Sequence, residues 1–568
     1  MKVIIVGGVA GGATAAARIR RLDEKAQIII YERSGFISYA NCGLPYYIGG
    51  EITEKENLTL QTPESFWKRF RIKVFIKHEV TSIDTMKKNV TVRSLETGDI
   101  KNDVYDKLVL APGAKPLIPN MTGTDNPKIF TLRTVEDALK IKEFIGENNP
   151  KSAVLAGGGY IGLEMAENLN RLGIKVTIVQ MSNQVMDPID YDMACLVQSE
   201  LRKNGVLLRL STTVKGFEDN GGGIKTLVEN GEPLESDMVI LAIGVVPDNA
   251  LAKSAGLALG VKGCIVVNGK METSAKDVYA VGDAVEVTNF VTKTKAAISL
   301  AGPANKQGRI AADNICGLPN EFKDSQGSSV IKIFDLTVAA TGINEITAAK
   351  AGIDYDEVVL KSSSHAAYYP GAKGMTVKVI FEKKTAKILG AQIIGYGGAD
   401  KRIDVLATAI RAEMTAYDLE DLDLSYAPPY SSAKDPVNMA GYVIENVVRG
   451  KVKQFRWNQV ETLTKNKNIT LLDTRTVTEY RLGHIEGFKN IPLDSLRDRL
   501  DEIDKNKPVY VNCQSGLRSY IACRILTQNG FDCYNLSGGF GFYENVVMNK
   551  CAETEGAFPC GMVKIVKE

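Results

Sequence analysis

Apolar residues in this chain come in short, unbroken runs rather than long stripes. Lys2–Val6, Gln27–Tyr31, Leu108–Ala111, Ala153–Ala156, Lys175–Val179 and Val239–Ala242 are brief, β-branched or aliphatic, and mostly bounded by glycine or polar residues. Such runs predict strands buried on both faces, as in a parallel sheet. Between the first two lies Ala13–Arg21, an alanine- and arginine-rich helix former. After residue 326 the character changes: strands are expected near Val330–Phe334 and Met375–Phe381, and a helix near Lys401–Met414. A third set of short strands begins at Thr470–Asp473 and Pro508–Asn512.

The loops between the first strands carry chemistry. Gly7-Gly-Val-Ala-Gly-Gly12 joins strand to helix, and the second strand ends at Glu32. In that layout the glycines let backbone approach a pyrophosphate at a helix N-terminus, and the acid accepts ribose hydroxyls. Val9 holds the usual second glycine position, so this copy is imperfect. A second copy meets the full pattern at Gly157, Gly159 and Gly162, but its second strand ends in Gln180, which does not repel a 2′-phosphate. Either nicotinamide is therefore admissible. Leu108–Gly113 and Val239–Pro247 read as strands ending in crossovers between domains, and Thr273–Asp283 as a strand ending in Gly-Asp, whose acid can accept ribityl hydroxyls. The expected dinucleotide contacts are Gly7, Gly8, Val9, Ala10, Gly11, Gly12, Glu32, Arg33, Ala111, Pro112, Gly113, Gly157, Gly159, Tyr160, Ile161, Gly162, Gln180, Gly244, Gly282 and Asp283.

Cys42 lies in Phe36–Tyr47 with no second cysteine on the following residues, which excludes a short-range dithiol. If redox-active, its oxidised form is a mixed disulfide, a persulfide or a sulfenic acid. A buried cysteine packing as a small hydrophobe is the bland reading. Further on, Cys513 ends a buried strand, and Gln514, Ser515, Gly516, Leu517 and Arg518 turn into a helix. Backbone N–H groups and the helix dipole there can stabilise a thiolate or persulfide.

Charge and composition narrow the field. Lys and Arg number 69 against 67 Asp and Glu, without a basic block, so nucleic acid is not an indicated partner. No apolar run is long enough to span a bilayer and no signal-peptide pattern opens the chain. Nine cysteines without paired spacing read as thiols of a reducing cytoplasm. Cys195, Cys264, Cys316, Cys523 and Cys533 are expected in the core, while Cys551 and Cys560 have no assigned place. With three histidines and no zinc-ligand spacing, no metal site is expected.

Taken together, residues 1–445 resemble the two-dinucleotide-domain flavoprotein disulfide reductases, and residues 462–543 resemble a rhodanese domain. The resemblance implies an α/β fold: an FAD-binding domain in two parts (1–112 and 250–325), an inserted NAD(P)H-binding domain (113–249), an α+β dimerisation domain (326–448), a linker or opening edge segment (449–461), and a C-terminal α/β rhodanese domain (462–568). It implies a homodimer, makes Tyr160 the aromatic that shields the flavin, and assigns Tyr368 and Tyr426 to the active site, where a phenol can protonate a leaving thiolate. The Cys513–Arg518 loop is one residue shorter than the related phosphatase loops, which points to sulfur as its cargo.

Within that group the surroundings of Cys42 are similar to those of coenzyme A-disulfide reductases and their rhodanese-fused relatives, the NAD(P)H-dependent persulfide reductases. This implies FAD, NAD(P)H and coenzyme A (CoA), with CoA held by Thr14, Arg18, Arg21, Ser38, Asn41, Arg309 and Lys434. Where those reductases place a CoA-binding lysine this chain has Phe70, so Arg71 or Arg69 is the expected substitute. The alternative is an NADH oxidase or peroxidase cycling through a Cys42 sulfenic acid. Such enzymes carry a histidine in the first glycine loop, and Ala10 stands at that position here.

Overall fold

The computed structural model describes residues 1–552 and the backbone of Ile565–Val566. The chain divides into two compact units, Met1–Asn183 with Val206–Gly327, and Gln184–Gly205 with Ser328 onward.

In the first unit β1 (Lys2–Val6), α1 (Ala10–Leu22) and β2 (Gln27–Tyr31) make a parallel βαβ unit, joined by β3 (Lys73–Phe75) and β4 (Lys107–Leu110). Both faces of β1 are covered, as its unbroken apolar run requires. Val3 and Ile5 pack with Ile28, Ile30 and the alanines of α1, while Ile4 packs on the opposite face with Ile29 and Tyr31. The second nucleotide fold contains β5 (Ile129–Phe130), β6 (Ser152–Ala156), α2 (Tyr160–Arg171), β7 (Lys175–Val179), β8 (Leu207–Arg209) and β9 (Met238–Leu241), in sheet order β8-β7-β6-β9-β5. The chain then returns with β10 (Val278–Ala280), giving the first sheet the order β10-β4-β1-β2-β3. The helix α3 (Ala301–Ile315) follows and lies against α1 so closely that a Cβ on Gly308 would sit 2.4 Å from the Gly11 carbonyl oxygen.

The second unit opens with an antiparallel sheet of β11 (Ser329–Ile333), β12 (Leu336–Gly342), β13 (Tyr355–Ser363), β14 (Gly374–Glu382) and β15 (Ile388–Gly395), in order β11-β12-β15-β14-β13. Helices α4 (Ala399–Arg411) and α5 (Pro436–Val448) follow. A five-stranded parallel sheet of β16 (Lys453–Phe455), β17 (Thr470–Asp473), β18 (Lys489–Asn490), β19 (Val509–Asn512) and β20 (Cys533–Leu536) runs in the order β16-β20-β19-β17-β18, with α6 (Leu517–Gln528) and α7 (Gly539–Ala552). Within the stretch read as a linker or opening edge, Lys453–Phe455 is the edge strand of this sheet.

Gln184–Gly205, within the stretch expected as the NAD(P)H-binding domain, groups with the second unit. There the fully buried Lys378 ammonium lies 2.9 Å from both Asp192 carboxylate oxygens and 3.1 Å from Asp190, and also pairs with Glu345. A lone buried lysine would lose its proton, whereas these acids hold its pKa well up against desolvation. Asp190, Asp192 and Glu345 are also the acids grouped closely enough to hold an ion, and Lys378 supplies the compensating charge. One expectation is corrected: Cys551 is disulfide-bonded rather than a thiol, and Cys560 lies outside the described residues. Cys195, Cys264, Cys523 and Cys533 are buried thiols as expected, and Cys316 is half-buried.

Candidate active sites

The two glycine loops are built alike, for the same steric reasons. Gly7 has φ +97° and Gly157 φ +113°, conformations that L side chains resist. A Cβ on Gly7 would meet the Ala111 carbonyl oxygen at 2.2 Å, and one on Gly157 the Ala242 carbonyl oxygen at 2.3 Å. On Gly12 and Gly162 a Cβ would strike the carbonyl oxygens of Gly7 and Gly157 at 1.9 and 2.0 Å. The residue closing each second strand reaches back to the loop. Glu32 Oε2 accepts the Gly8 N–H at 2.7 Å, and Gln180 Oε1 accepts the Gly158 N–H at 2.8 Å. Glu32 is buried, which raises its pKa against the pull of the Gly8 and Ser34 N–H groups.

Beside the first loop lies a cavity of about 480 Å3, lined by Gly7, Val9, Glu32, Arg33, Ala111, Pro112 and Gly113. An open backbone cradle ending at an acid fits the pyrophosphate and ribose of a dinucleotide. Arg133 and Thr134 also line this cavity. Arg133 Nη2 binds Asp283 Oδ2 at 2.7 Å, so the acid read as a ribityl acceptor already holds a cation. Arg133 escaped the sequence reading; the Thr134/Asp137 capping box that positions it was the available signal. Arg33 pairs with Asp248 at 2.7 Å, and Gly282 N–H donates to Gln307 Oε1 at 2.8 Å. Tyr160 and Ile161 open α2, and Gly244 follows β9, its carbonyl accepting Leu117 N–H.

Cys42 is exposed and sits in a single 3₁₀ turn, Asn41–Gly43, that runs into the helix Leu44–Ile48. Surrounding protein still pushes its thiol pKa up, Glu164 adds to this, and Arg133 opposes it. Glu164 was also missed. It projects from α2, accepts the Tyr46 hydroxyl at 3.3 Å, and burial lifts its pKa to about 7. Replacing Glu164 with Gln is therefore expected to lower the Cys42 thiol pKa, measured by thiolate absorbance against pH. An unchanged or raised pKa would contradict the coupling.

Several of the residues assigned to CoA have partners within the chain. Arg18 Nε binds Asp313 on α3 at 2.7 Å, and Arg309 acts on the same carboxylate. Thr14 donates to Asn305 at 2.6 Å. Arg21 and Arg71 are exposed, and Arg71 caps the helix Pro63–Phe70 with φ +51°. Its carbonyl, with those of Phe70, Asp23, Glu24 and Ala26, accepts from the buried Arg20. Ser38 is held at φ +45°, and Asn41 lines the dinucleotide cavity. In the second unit the Tyr368 and Tyr426 hydroxyls meet at 2.8 Å, and both side chains are exposed. Lys434 lines a different cavity, of about 370 Å3, whose wall includes Ser515, Gly516 and Leu517 of the second cysteine loop.

That second loop is tightly closed. Cys513 is fully buried, and its Sγ accepts from Gly516 N–H and from Ser519 Oγ, both at 3.2 Å. Gly516 takes φ +94° to start α6. Gly539 leaves no room for a Cβ, which would lie 2.6 Å from Gly516 N and 2.7 Å from Cys513 O. Arg518 makes a two-pronged pair with Glu479 at 2.7 Å on each arm, pulling that carboxyl to about 2. Gln514 Oε1 accepts from Arg475 at 3.3 Å. Ser519, one residue past the loop, was not singled out. Ser519→Ala removes a donor to Cys513 Sγ, a bond of about 1.5–3 kcal/mol to an acceptor that carries charge during transfer. Sulfur transfer at Cys513 is expected to slow roughly ten- to a hundredfold, read as thiosulfate-dependent turnover, with disulfide reduction unchanged.

Two dinucleotide folds sharing one unit, an accessible thiol beside the first, and a second thiol in a helix-capped loop define a nucleotide-dependent oxidoreductase with sulfur chemistry. Known proteins of similar sequence and structure agree. Residues 1–308 match the pyridine nucleotide-disulphide oxidoreductase family, residues 328–436 its dimerisation domain, and residues 457–545 the rhodanese-like domain. A coenzyme A disulfide reductase of Staphylococcus haemolyticus is 38% identical over 444 residues, 78% of this chain and 98% of that protein. The crystal structure of reduced Bacillus anthracis CoADR-RHD superposes with TM-score 0.94 at 48% identity, covering 96% of this chain and 98% of that one. An NAD-dependent persulfide reductase from A. fulgidus gives TM-score 0.90 at 39% identity, covering 95% and 100%. The chain belongs to the pyridine nucleotide-disulphide oxidoreductase family, the family that uses FAD with a pyridine nucleotide, and carries a rhodanese-like domain.

Proposed function

We propose that this enzyme uses NAD(P)H to reduce CoA disulfide and CoA persulfide or polysulfide through a Cys42–CoA mixed disulfide, and that Cys513 handles sulfane sulfur. The observation that carries this reading is the accessible, unpartnered Cys42 with no cysteine on the adjoining turn. The names of the two relatives of matching domain plan or sequence support the substrate class.

Bound FAD and nicotinamide supply the electron pair. The residues expected to hold them are those of the two glycine loops, with Glu32 and Gln180 on the riboses. Gln180 is neutral, so neither nicotinamide is repelled. The Cys42 thiolate attacks CoA–S–S–CoA, forms Cys42–S–S–CoA and releases one CoA thiolate. With CoA–S–SH the same attack on the inner sulfur releases HS⁻. Two electrons then cleave the mixed disulfide to Cys42 thiolate and CoA thiolate. Holding the CoA thiol as a covalent adduct keeps it local and replaces a second protein cysteine. The paired phenols Tyr368 and Tyr426 are assigned proton donation to a leaving thiolate, and the dimerisation domain supports a homodimer. Ala10 offers no base to a sulfenate, which disfavours oxidase chemistry.

Denaturing mass spectrometry of the purified protein tests the reading. A CoA-sized adduct on Cys42, lost on thiol reduction, is expected. Oxygen adducts on Cys42 without CoA would replace the proposal by the oxidase reading.

A further inference from the structure

Lys361 has no place in the chemistry above, yet it stands at the Cys513 loop. It lies on β13, an edge strand of the antiparallel sheet, and the free edge of that strand takes up the rhodanese-like chain. Val359 N–H donates to Ser537 Oγ, and Gly538 N–H donates to the Val359 carbonyl oxygen, both at 3.1 Å. Lys361 follows two residues later, on the same face of the strand. A Cβ on Gly541 would lie 3.4 Å from Lys361 Nζ and 2.8 Å from Gln514 Nε2. The ammonium therefore stands beside the side chain that follows Cys513.

That ammonium is uncompensated. Among the described residues Lys361 makes no hydrogen bond and no ion pair. It borders the cavity of about 370 Å3 together with Lys434, Ser515, Gly516 and Leu517, and no described acid lines that cavity. Surrounding protein lowers the Lys361 pKa, and the charge of Glu544 opposes this. Lys361 also borders a cavity of about 310 Å3, but Glu200 there already accepts the Tyr396 hydroxyl at 2.6 Å. In the wall of the larger cavity Asn535 Nδ2 donates to the Gly516 carbonyl oxygen at 3.2 Å, while its buried Oδ1 has no partner. Leu360, Val443 and Val452 make the wall apolar, and an unpaired cation attracts an anion more strongly there than in water. The lysine itself is exposed, so a solute can reach it.

We propose that Lys361, from outside the rhodanese-like domain, is a specificity-determining residue of the Cys513 site: its ammonium binds the anionic head of a small sulfur donor, such as the sulfonate of thiosulfate, and selects charged donors over neutral ones. The inference rests on the reading that Cys513 handles sulfane sulfur. With thiosulfate, the Cys513 thiolate attacks the outer sulfur, a Cys513 persulfide anion forms, and the S–S bond breaks to release sulfite. Charge is conserved, and the sulfur moves without its two bonding electrons, which leave on sulfite. Lys361 holds the sulfonate before the attack and the sulfite after it.

The test compares full-length wild type with Lys361→Met, which keeps the stem and loses the charge, and Lys361→Arg, which keeps the charge. In sulfur transfer from thiosulfate to cyanide, Lys361→Met should raise KM for thiosulfate about tenfold with kcat little changed, and Lys361→Arg should restore most of the affinity. A second measurement reads the cation without sulfur chemistry: the rates at which Cys513 is alkylated by anionic iodoacetate and neutral iodoacetamide, mapped by mass spectrometry. The iodoacetate-to-iodoacetamide ratio should fall about threefold or more in Lys361→Met and hold in Lys361→Arg. An unchanged KM, or equal slowing by both reagents, overturns the proposal and leaves Lys361 a packing residue. A ratio that falls in Lys361→Met, in a protein whose wild type takes no sulfur from thiosulfate, would uphold anion selection by Lys361 and remove sulfane handling from Cys513.

Discussion

Cys42→Ser is expected to abolish NAD(P)H-dependent reduction of CoA disulfide and persulfide, to the level of the uncatalysed exchange, while FAD still binds and is still reduced by NADH. The separation has a structural basis. The nucleotide cradles are backbone and acid or amide: Gly7, Gly12 and Glu32 in one, Gly157, Gly162 and Gln180 in the other, and the thiol supports neither. A serine hydroxyl is a far weaker nucleophile at neutral pH and cannot form the mixed disulfide. Any CoA adduct seen on the wild-type protein should vanish with the thiol. Flavin reduction followed by absorbance, together with disulfide turnover, reads both halves in one sample. Undiminished CoA-disulfide reduction by the serine variant would remove Cys42 from the mechanism.

The second large effect is selective. Cys513→Ser should leave CoA-disulfide reduction intact, because that reaction needs only Cys42. Turnover of elemental sulfur or of a bulky persulfide should fall steeply, because those substrates rely on a sulfur carrier. The loop geometry fits the proposed carrier role: Gly516 N–H and Ser519 Oγ both point at Sγ, and Gly539 closes the floor without a side chain. Serine nearly keeps the volume and loses the sulfur, so folding should be spared. Steady-state kinetics on both substrate classes decide the matter. Equal loss on both would assign Cys513 a structural role, and no loss on either would give the rhodanese-like domain another partner.

The site was legible where its parts are adjacent in the chain. Gly7–Gly12 with Glu32 is a local pattern, and a glycine there is required by a carbonyl about two ångströms from where a Cβ would be. The Cys513–Arg518 loop is local too. Residues that act across long separations were not visible. Arg133 meets Asp283 150 positions on, and Glu164 meets Tyr46 across 118. Neither has a neighbour in sequence that announces its partner, and each contact forms only in the folded chain. Arg18, expected from the resemblance as a CoA contact, pairs with Asp313 on α3, a partner 295 positions away that no local pattern shows.

By itself, the amino-acid sequence determined the order of the domains, the two nucleotide loops, the solitary cysteine and the cysteine loop of the rhodanese-like domain. Each of these rests on short-range sterics and on apolar runs that have one buried solution. Tertiary structure decided the rest. It grouped Gln184–Gly205 with the second unit and set Asp192 against Lys378 across 186 residues, with Asp190 alongside. It also set the pKa of Glu164, because desolvation depends on what surrounds a group in space. Composition and spacing carry no record of those surroundings; only the packed chain creates them.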